Sequence, residues 1–476
     1  MFNIVILGAG LSGLSAGAKL IRDGFTVTIL EKSNSVGGLA SSFTKDNYKF
    51  DFGPHIFFGK KIIPELRKYF NGEDVLVKND NLRQAIYIKN DVFKYPFQLK
   101  EVLSKMGKRK LPLVFRDILL KSIKSKKNRS GGEQSLEEWV KRKIGRTLFD
   151  YIELDTYVNK LYGISASEIS SDWGKQRLKP LVNLSLWKSL NRNFNPFVRE
   201  RRAHTFYCPK GIGDIANHLS DYIVKNSGSI LTGSTVENIK VANNRVIDIS
   251  IREKGKLKRV SADFFISSLK ITDLIDMIEP KPDDMVLDSG KNLRYRNLII
   301  VYLIVNKSKV LNHCLMYCSL KKTIFKRITD FRHFSGELMP ENETILAVEI
   351  CTNSEHEIWN YEDKKIFEKL IDQLEGIGII SRKDVLHYFT VRIPGVYPVY
   401  FLNYGKHLKV ILDYLEKIEN LVSVGRGGLY QHDNMPTAIA SGFTVADLIK
   451  QHGENNIGEV SKTIYGDRLN KYKNKV

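Results

Sequence analysis

Residues 3–13, Asn-Ile-Val-Ile-Leu-Gly-Ala-Gly-Leu-Ser-Gly, decide the fold of this chain. The apolar run at residues 3–7 is typical of a buried parallel strand, and glycines follow it at once. In such a connection Gly8 permits a tight turn, Gly10 lets the backbone approach a pyrophosphate, and Gly13 lets the next helix pack close to the sheet. The spacing therefore predicts a turn that binds a dinucleotide.

The residues after this turn complete the pattern. Leu11 and Ser12 begin a helix whose apolar spacing continues over Leu14–Arg22, and its N-terminal N–H groups are suited to binding phosphates. A second strand is predicted at Phe25–Leu30, and Glu31 closes it, where a carboxylate accepts hydrogen bonds from ribose hydroxyls. The order of strand, glycine turn, helix, strand and acid predicts a Rossmann-type site for the ADP half of a dinucleotide.

Length and composition limit the class of protein. A chain of 476 residues with 42% hydrophobic residues favours a folded protein of two or three domains. No apolar run approaches the ~18 residues that span a bilayer, and no charged leader marks a signal peptide. The four cysteines are Cys208, Cys314, Cys318 and Cys351. Their spacing matches no zinc site, so we expect no metal, and free thiols in a reducing cytoplasm.

The charge of the chain is strongly positive, because 74 Lys and Arg residues stand against 53 Asp and Glu residues. Part of the excess lies in residues 101–130, where basic and apolar residues interleave. This pattern predicts a basic amphipathic helix, which could contact the inner face of a membrane, attract an anionic substrate or be a solvated helix face. No nucleic-acid partner is expected, because neither a stacking platform nor a nucleic-acid motif is present.

Two segments after Glu31 carry a family resemblance. Lys32 and the run Gly37-Gly38-Leu39-Ala40 come first, and Phe50-Asp51-Phe52-Gly53-Pro54-His55 follows. They resemble the two-glycine and D-x-G signatures of the flavin amine-oxidase superfamily, which includes monoamine oxidases, protoporphyrinogen oxidase, carotenoid desaturases and UDP-galactopyranose mutase. The resemblance implies that the dinucleotide is FAD and that these turns run beside its pyrophosphate and ribityl chain. His55 would line the flavin or take part in the chemistry.

Later segments extend the resemblance. Tyr207–Gly213 is similar to the Y-P-x-G-G segment of the superfamily, and strands predicted over 233–268, with a turn at Asn243-Asn244, would bring Val236 to the adenine. Residues 422–442 resemble the second FAD segment, in which a helix N-terminus stabilises negative charge on the reduced flavin. The contacts to FAD implied in this way are Gly8, Gly10, Leu11, Ser12, Gly13, Glu31, Lys32, Gly37, Gly38, Leu39, Ala40, Gly53, Pro54, His55, Val236, Gly425, Arg426, Asn434, Met435 and Thr437.

The fold class predicted from these segments is α/β. A Rossmann-type FAD-binding domain with a parallel sheet would be interleaved with a mixed-sheet substrate domain and a helical insertion. The FAD-binding domain is predicted at residues 1–80, 205–270 and 415–455. The helical insertion, with the basic segment, is predicted at 81–204, the substrate domain at 271–414, and a basic tail at 456–476.

Within the superfamily, the sequence is most similar to the UDP-galactopyranose mutases. Residues 53–57 resemble their G-x-H-I-F loop, residues 93–97 their F-x-x-P-F segment, and Tyr157-Val-Asn-Lys-Leu-Tyr162-Gly163 their Y-x-x-K-x-W-G motif. The resemblance implies that Tyr157 and Tyr162 hold the base of a nucleotide. Tyr162 replaces the tryptophan of the motif, and an aromatic face of either kind can stack on a base.

Phosphates need fixed cationic donors, and arginine suits them. The resemblance implies that the remaining substrate contacts are Arg177, Arg296, Arg327, Tyr397, Arg426 and His432, the last of which stands where the family has a tyrosine.

The resemblance implies a mutase that acts on an anionic nucleotide sugar, as in the biosynthesis of polysaccharides. Reduced FAD would attack the anomeric carbon through N5 and contract the sugar ring without net redox, so a reductant for FAD would be needed. No catalytic side chain is predicted beyond the flavin, His55 excepted. Two alternatives stay open. One is an oxidase or dehydrogenase of the amine oxidase, protoporphyrinogen oxidase or carotenoid desaturase type, which takes a hydride to N5. The other is a flavin-binding protein without turnover.

Overall fold

The computed structural model describes residues 2–58, 61–124, 133–178, 204–453 and 456–470. The chain folds into two compact units, each made of segments that are distant in sequence. The first unit comprises Met1–Asn79, His204–Arg294 and Tyr404–Val476, and the second comprises Asp80–Ala203 and Tyr295–Asn403.

Strands and helices of the described residues are numbered in chain order. The strands are β1 (Asn3–Leu7), β2 (Thr26–Leu30), β3 (Ser42–Lys45), β4 (Tyr48–Asp51), β5 (Phe57–Phe58), β6 (Val77–Lys78), β7 (Gln84–Ile88), β8 (Asp91–Lys94), β9 (Thr205–Tyr207), β10 (Ser229–Leu231), β11 (Ser234–Ala242), β12 (Arg245–Glu253), β13 (Lys256–Val260), β14 (Phe264–Ser267), β15 (Ile278–Glu279), β16 (Tyr295–Val305), β17 (Leu315–Cys318), β18 (Arg327–Asp330), β19 (Thr344–Thr352), β20 (Val385–Pro398) and β21 (Leu421–Ser423). The helices are α1 (Leu11–Arg22), α2 (Ile63–Arg67), α3 (Leu99–Met106), α4 (Leu111–Lys124), α5 (Leu136–Ile144), α6 (Arg146–Tyr151), α7 (Leu154–Tyr162), α8 (Ser171–Arg177), α9 (Asp214–Lys225), α10 (Ile271–Met277), α11 (Asp284–Asn292), α12 (Asp363–Gly376), α13 (Tyr404–Leu415), α14 (Gly425–Gly428), α15 (Met435–His452) and α16 (Gly458–Asn470).

A parallel sheet of five strands forms the centre of the first unit. Its order is β10-β2-β1-β14-β21, so that β1 lies between β2 and β14. The apolar side chains of β1 are buried, as expected for a parallel strand covered on both faces. Helix α1 packs closely against α15, because a Cβ on Gly442 would lie 2.2 Å from the Ser12 carbonyl oxygen. The carboxyl ends of β1 and β2 bring the glycine turn and Glu31 to one edge of this sheet.

The second unit is built on a mixed sheet of seven strands in the order β20-β16-β19-β18-β17-β7-β8. The central strands β16 and β19 are antiparallel and buried almost throughout, whereas β17 and β7 run parallel. Helix α12 covers the sheet with Ile366, Leu370 and Leu374, which belong to its apolar core. Glu349 is a charged residue within this buried sheet.

The predicted α/β fold, with a parallel sheet and mixed sheets, is confirmed. The hairpin predicted around Asn243 and Asn244 also forms, between β11 and β12. Both asparagines have positive φ angles, 52° and 57°, as the favoured two-residue hairpin turns require.

The single basic helix predicted over residues 101–130 was wrong. Gly107, with a φ of +83°, ends α3, and α4 begins only at Leu111 after a 3-10 turn. A glycine adopts this backbone conformation without steric cost and so breaks the helix. Residues 125–130 of the prediction lie outside the described residues.

The segment predicted as a basic tail, residues 456–476, instead contains helix α16. Val460, Ile464 and Tyr465 give this helix a buried apolar face, which a composition dominated by charge concealed. Residues 471–476 lie outside the described residues.

The two units also group the chain differently from the predicted domains. The helical insertion at 81–204 and most of the substrate domain at 271–414 belong to one unit, because β7 and β8 join the sheet of β16–β20. Residues 271–294 and 404–414 belong to the first unit instead.

Candidate functional site

Two close approaches of the backbone shape the glycine turn between β1 and α1. Gly8 has a φ of +100°, and its N–H donates to the Leu30 carbonyl at 2.8 Å. A Cβ on Gly13 would lie 2.0 Å from the Gly8 carbonyl oxygen, whereas a Cβ on Gly10 would meet no atom within 4 Å. The turn is therefore packed at Gly8 and Gly13 and open at Gly10.

The open position at Gly10 coincides with the N-terminus of α1. Gly10 is the N-cap residue, no side chain caps this helix end, and its first turn contains no acidic residue. The first N–H groups of a helix lack intrahelical acceptors and lie at the positive end of the helix dipole. A pyrophosphate fits this cradle in both space and charge.

Glu31 is buried at the carboxyl end of β2 and held there by backbone donors. Its Oε2 accepts from the Ala9 N–H at 2.8 Å, and its Oε1 accepts from the Ser33 N–H at 2.9 Å. The Gly37 N–H donates to the Ala9 carbonyl at 2.8 Å, which joins the second glycine pair to the first turn. Gly38, Leu39 and Ala40 form a short 3-10 helix after it, and Lys32 is exposed.

A hydrogen-bond network around Asp51 ties together two of the predicted flavin segments. The Asp51 carboxylate is fully buried and accepts from the Ser42 and Tyr207 hydroxyls, both at 2.6 Å, and from the Ile212 N–H at 3.1 Å. Burial raises the pKa of Asp51, although these hydrogen bonds act against the rise. Residues 53–55 follow directly, so the network fixes the start of the loop that holds Gly53, Pro54 and His55.

The second glycine segment packs against the first. A Cβ on Gly425, whose φ is +75°, would lie 2.4 Å from the Ser12 Oγ atom. Arg426 donates to a backbone carbonyl of its own segment at 3.1 Å. Asn434 caps α15, which begins at Met435, by accepting from the Thr437 N–H at 3.1 Å. All the predicted flavin contacts thus lie in the first unit. There Val236 is buried on β11, two residues after Ser234, whose N–H donates to the Glu31 carbonyl at 2.8 Å.

The sequence did not point to Arg468, which supports the second glycine segment from helix α16. Its guanidinium donates to the carbonyls of Leu429 at 2.8 Å and Tyr430 at 2.9 Å. Tyr465, on the same helix, accepts from the Ser423 N–H at 2.9 Å. The helical spacing of the apolar residues in α16 was the available signal.

The second unit contains an aromatic cavity, and the sequence predicted only part of its lining. Tyr157 and Arg177 were predicted, whereas Tyr95, Trp173 and Tyr317 were not. Trp173 stands four residues before Arg177 on α8, a spacing that puts both on one helix face and could have indicated it. We call the space lined by these five side chains the aromatic cavity.

A buried ion cluster lies near this cavity, at the start of β18 and on β19. Glu349 is fully buried, and its carboxylate contacts the Lys326 Nζ at 3.1 Å and the Arg327 Nε at 2.9 Å. Burial alone would raise the pKa of Glu349, but the two cations hold it below its usual value. Lys326 also donates to the Tyr397 hydroxyl at 3.1 Å, and the Arg327 guanidinium lies 5.9 Å from the Tyr317 ring centre.

Two phenols of the cavity, those of Tyr157 and Tyr95, are well protected against ionisation. Burial raises the pKa of Tyr157 and of Tyr95 well above the ordinary tyrosine value. Nearby cations, among them Arg177 and Arg327, only partly oppose this effect. The phenols therefore stay protonated near neutral pH and can donate hydrogen bonds to an anion.

The other predicted substrate residues do not line the aromatic cavity. Arg296 is buried, and its guanidinium donates to the Leu161 carbonyl at 3.3 Å and the Cys351 carbonyl at 3.0 Å. Tyr162 is buried and packs edge-to-face on Trp173, with ring centres 5.7 Å apart. Six of the eight predicted residues thus lie in the second unit, and Arg426 and His432 lie in the first.

Comparisons with known proteins agree with this architecture. A family model described as flavin containing amine oxidoreductase matches residues 11–450. A 4,4'-diaponeurosporene oxygenase of Staphylococcus aureus (strain USA300) is 23% identical and aligns with 95% of this chain and 99% of its own. The enzyme of that name from Staphylococcus haemolyticus (strain JCSC1435) is 20% identical, covering 94% of this chain and 97% of its own.

Solved structures show the same fold at lower identity. A reduced UDP-galactopyranose mutase superposes with a TM-score of 0.77 at 18% identity, covering 97% of this chain and 99% of its own. A candidate protoporphyrinogen oxidase from Exiguobacterium sp. 255-15 has a TM-score of 0.73 at 14% identity, covering 95% of this chain and 99% of its own. Together with the family model, these structures confirm the resemblance to the flavin amine-oxidase superfamily.

Proposed function

This chain belongs to the family of flavin containing amine oxidoreductases, and from that premise we propose that it is an FAD-dependent mutase of an anionic nucleotide sugar. The first unit would hold FAD at the glycine turn and Glu31. The second unit would bind the nucleoside diphosphate in the aromatic cavity. When bound in its reduced form, the flavin supplies a nucleophilic nitrogen, N5, for a rearrangement without net redox.

The observation that carries this proposal is the combination of phenols and cations around the aromatic cavity. Tyr95, Tyr157 and Tyr317 line it together with Arg177. Aromatic faces stack on a nucleotide base, and arginine forks bind phosphates. Arg177 is exposed, and no described residue forms a hydrogen bond or ion pair with its guanidinium. An anionic ligand would supply a partner for this guanidinium.

The charges near the cavity suit a diphosphate. Lys326 and Arg327 together carry one positive charge more than Glu349 neutralises. Arg177 adds a second positive charge, and a nucleotide sugar carries one negative charge on each of its two phosphates. Because the Nε side of Arg327 faces Glu349, the opposite side of its planar fork remains for a ligand.

Each side chain would have a distinct task in this reaction. Tyr157 would hold the base, Arg177 and Arg327 would bind the diphosphate, and Tyr397 would be held by Lys326 to donate a hydrogen bond. Arg327 and Tyr397 are held by Glu349 and Lys326 before the substrate binds. They would therefore stabilise the charge that develops on the departing diphosphate at little cost in reorganisation.

The proposal is tested with dithionite-reduced protein, incubated anaerobically with a panel of UDP-, GDP- and dTDP-sugars, followed by separation of the products. We expect a ring isomer of one sugar with reduced protein and none with oxidised protein. The Arg177→Ala variant should lose most of this turnover while it retains its flavin absorbance. If no sugar in the panel changes its ring form, the mutase proposal fails.

A second candidate, the oxidation of an apolar substrate by hydride transfer to the flavin, is favoured by the relatives at 20–23% identity, which are named as oxygenases. The apolar part of the cavity lining, Ile86, Phe97 and Leu178, could contact such a substrate. Anaerobic bleaching of the oxidised flavin by a polyene, without added reductant, would support this candidate. Failure of UDP to inhibit the bleaching would separate it further from the mutase.

A further inference from the structure

Helix α4 exposes large apolar side chains to solvent. Leu113 is 40% exposed, Phe115 61% and Leu119 67%. Single exposed apolar side chains are ordinary, but several on one helix face mark a surface that binds something.

The exposed side chains share one face of the helix. At about 100° per residue, Phe115, Leu119 and Leu113 fall within an arc of roughly 160°. Arg116 lies inside the same arc and is also exposed. Val114, which is buried, lies outside it.

A half-buried carboxylate fixes this orientation. Asp117 lies just outside the exposed arc, and its Oδ2 accepts from the Thr147 N–H at 2.7 Å, at the start of α6. A Cβ on Gly145 would lie 2.9 Å from the Asp117 Cβ, so the two helices meet closely there. Burial would raise the pKa of Asp117, but the hydrogen bonds from Thr147 and Arg116 lower it, so the carboxylate stays charged near neutral pH. The anchor therefore holds the apolar side chains outward.

The chain around these apolar side chains is cationic. Lys108, Arg109 and Lys110 form the turn just before α4, and all three are exposed, as is Arg116. The acidic residue of the same stretch, Asp117, faces inward. Exposed apolar side chains are thus flanked by basic ones, and we call residues 108–119 the α4 surface.

We propose that the α4 surface docks on a lipid bilayer that contains anionic lipids, with Phe115 and Leu119 inserted between the headgroups. A helix of this composition lies flat in the interface, where its basic residues attract acidic headgroups. Among the described residues, no helix is both long and apolar enough to cross a membrane. The contact would therefore be peripheral, and it would be independent of the reaction that the cavity performs.

Charge favours a bilayer over two other partners. A second copy of the α4 surface would bring Lys108, Arg109 and Lys110 against their own counterparts, which like charges oppose. A nucleic acid would pair with the basic residues but would leave Phe115 and Leu119 exposed. An anionic bilayer satisfies both the charges and the apolar side chains.

The test is sedimentation of the full chain with vesicles of phosphatidylcholine, with and without phosphatidylglycerol. We expect binding to the anionic vesicles and little to the neutral ones. The Phe115→Ser/Leu119→Ser variant should bind at least about tenfold more weakly, because two apolar side chains no longer leave water. The Lys108→Glu/Arg109→Glu variant should bind about tenfold or more weakly, and salt should weaken the wild-type protein in the same way.

Matched variants in the first unit control for exposed apolar area and for net charge. Leu257→Ser/Met285→Ser removes side chains that are 60% and 64% exposed, and Lys240→Glu/Lys256→Glu removes two exposed lysines. Both should bind vesicles as the wild-type protein does, and every variant should retain its thermal unfolding midpoint. Absence of binding to anionic vesicles would overturn the proposal. So would a vesicle-free dimer that Phe115→Ser/Leu119→Ser dissociates.

Discussion

The glycine turn of the first unit and the aromatic cavity of the second are built in opposite ways. The turn consists of backbone atoms from a few neighbouring residues, with Gly8 and Gly13 in contact and Glu31 held by two N–H groups. The cavity consists of side chains from segments more than two hundred residues apart, such as Tyr95 and Tyr317. A site made of backbone depends on the absence of side chains, whereas a site made of side chains depends on buried charges being balanced.

This contrast predicts its largest effect at the ion cluster of the second unit. Glu349→Gln would leave the buried Lys326 and the half-buried Arg327 without their carboxylate, which should lower the free energy of unfolding by about 3–5 kcal/mol. Urea unfolding measures this, with Glu341→Gln, an exposed residue of the same unit, as the control. A loss no larger than that of the control would mean that the cavity does not depend on this charge balance.

The difference in stability between the wild-type protein and Glu349→Gln should also depend on pH. Because the folded pKa of Glu349 is below its unfolded value of about 4.3, the ionised carboxylate stabilises the fold at neutral pH. That stability is lost as the pH falls through the folded pKa. The difference between wild type and Glu349→Gln should therefore be full above pH ~5 and shrink as the pH is lowered below ~4. A difference that does not change with pH would contradict the assignment.

A smaller effect is expected at the glycine turn, where two substitutions separate folding from flavin binding. Gly13→Ala places a Cβ against the Gly8 carbonyl and should cost about 1–3 kcal/mol of folding free energy. Gly10→Ala meets no atom of the protein, so it should fold normally and yet bind FAD more weakly. Thermal unfolding measures the stability of each variant, and the flavin absorbance per protein molecule measures how much FAD each variant retains. If the two variants behaved alike, the open cradle at Gly10 would not be where the pyrophosphate binds.

The smallest effect in this series is expected at Arg177, which is exposed and forms no hydrogen bond or ion pair with the residues that the structure describes. Arg177→Lys keeps the charge but loses the planar fork, so UDP should bind about tenfold more weakly. The free energy of unfolding should change by less than about 0.5 kcal/mol. Titration with UDP measures the affinity. Lys175→Ala, on the same helix and paired with Asp172, should bind UDP unchanged, and an equal loss in both variants would point to a distorted helix.

The difference between the two sites also explains what the sequence could predict. Gly8, Gly10, Gly13 and Glu31 are close in the chain, so their spacing alone describes a turn. Asn243 and Asn244 likewise mark their hairpin by residue type. In each case local backbone geometry selects the residues.

The features that the sequence did not predict depend on contacts between residues distant in the chain, which sequence spacing does not reveal. Tyr317 reaches the cavity only because β17 pairs with β7, and that pairing is set by the packing of the whole sheet. The sequence could have indicated a buried ion pair at Glu349, because a lone acidic residue in an apolar strand needs a cationic partner. It did not indicate which lysine or arginine that partner is. The break at Gly107 was hidden by a charge pattern that continues across it.

The hydrogen bonds from Arg468 to the Leu429 and Tyr430 carbonyls have a consequence for the order in which the protein is made. Synthesis proceeds from the N-terminus, so the ribosome makes all the strands of the second unit before it reaches α16. The ion cluster on β18 and β19 can therefore form on the nascent chain. The second glycine segment receives its support only when α16 has emerged, so tight retention of the flavin should follow the formation of the ion cluster.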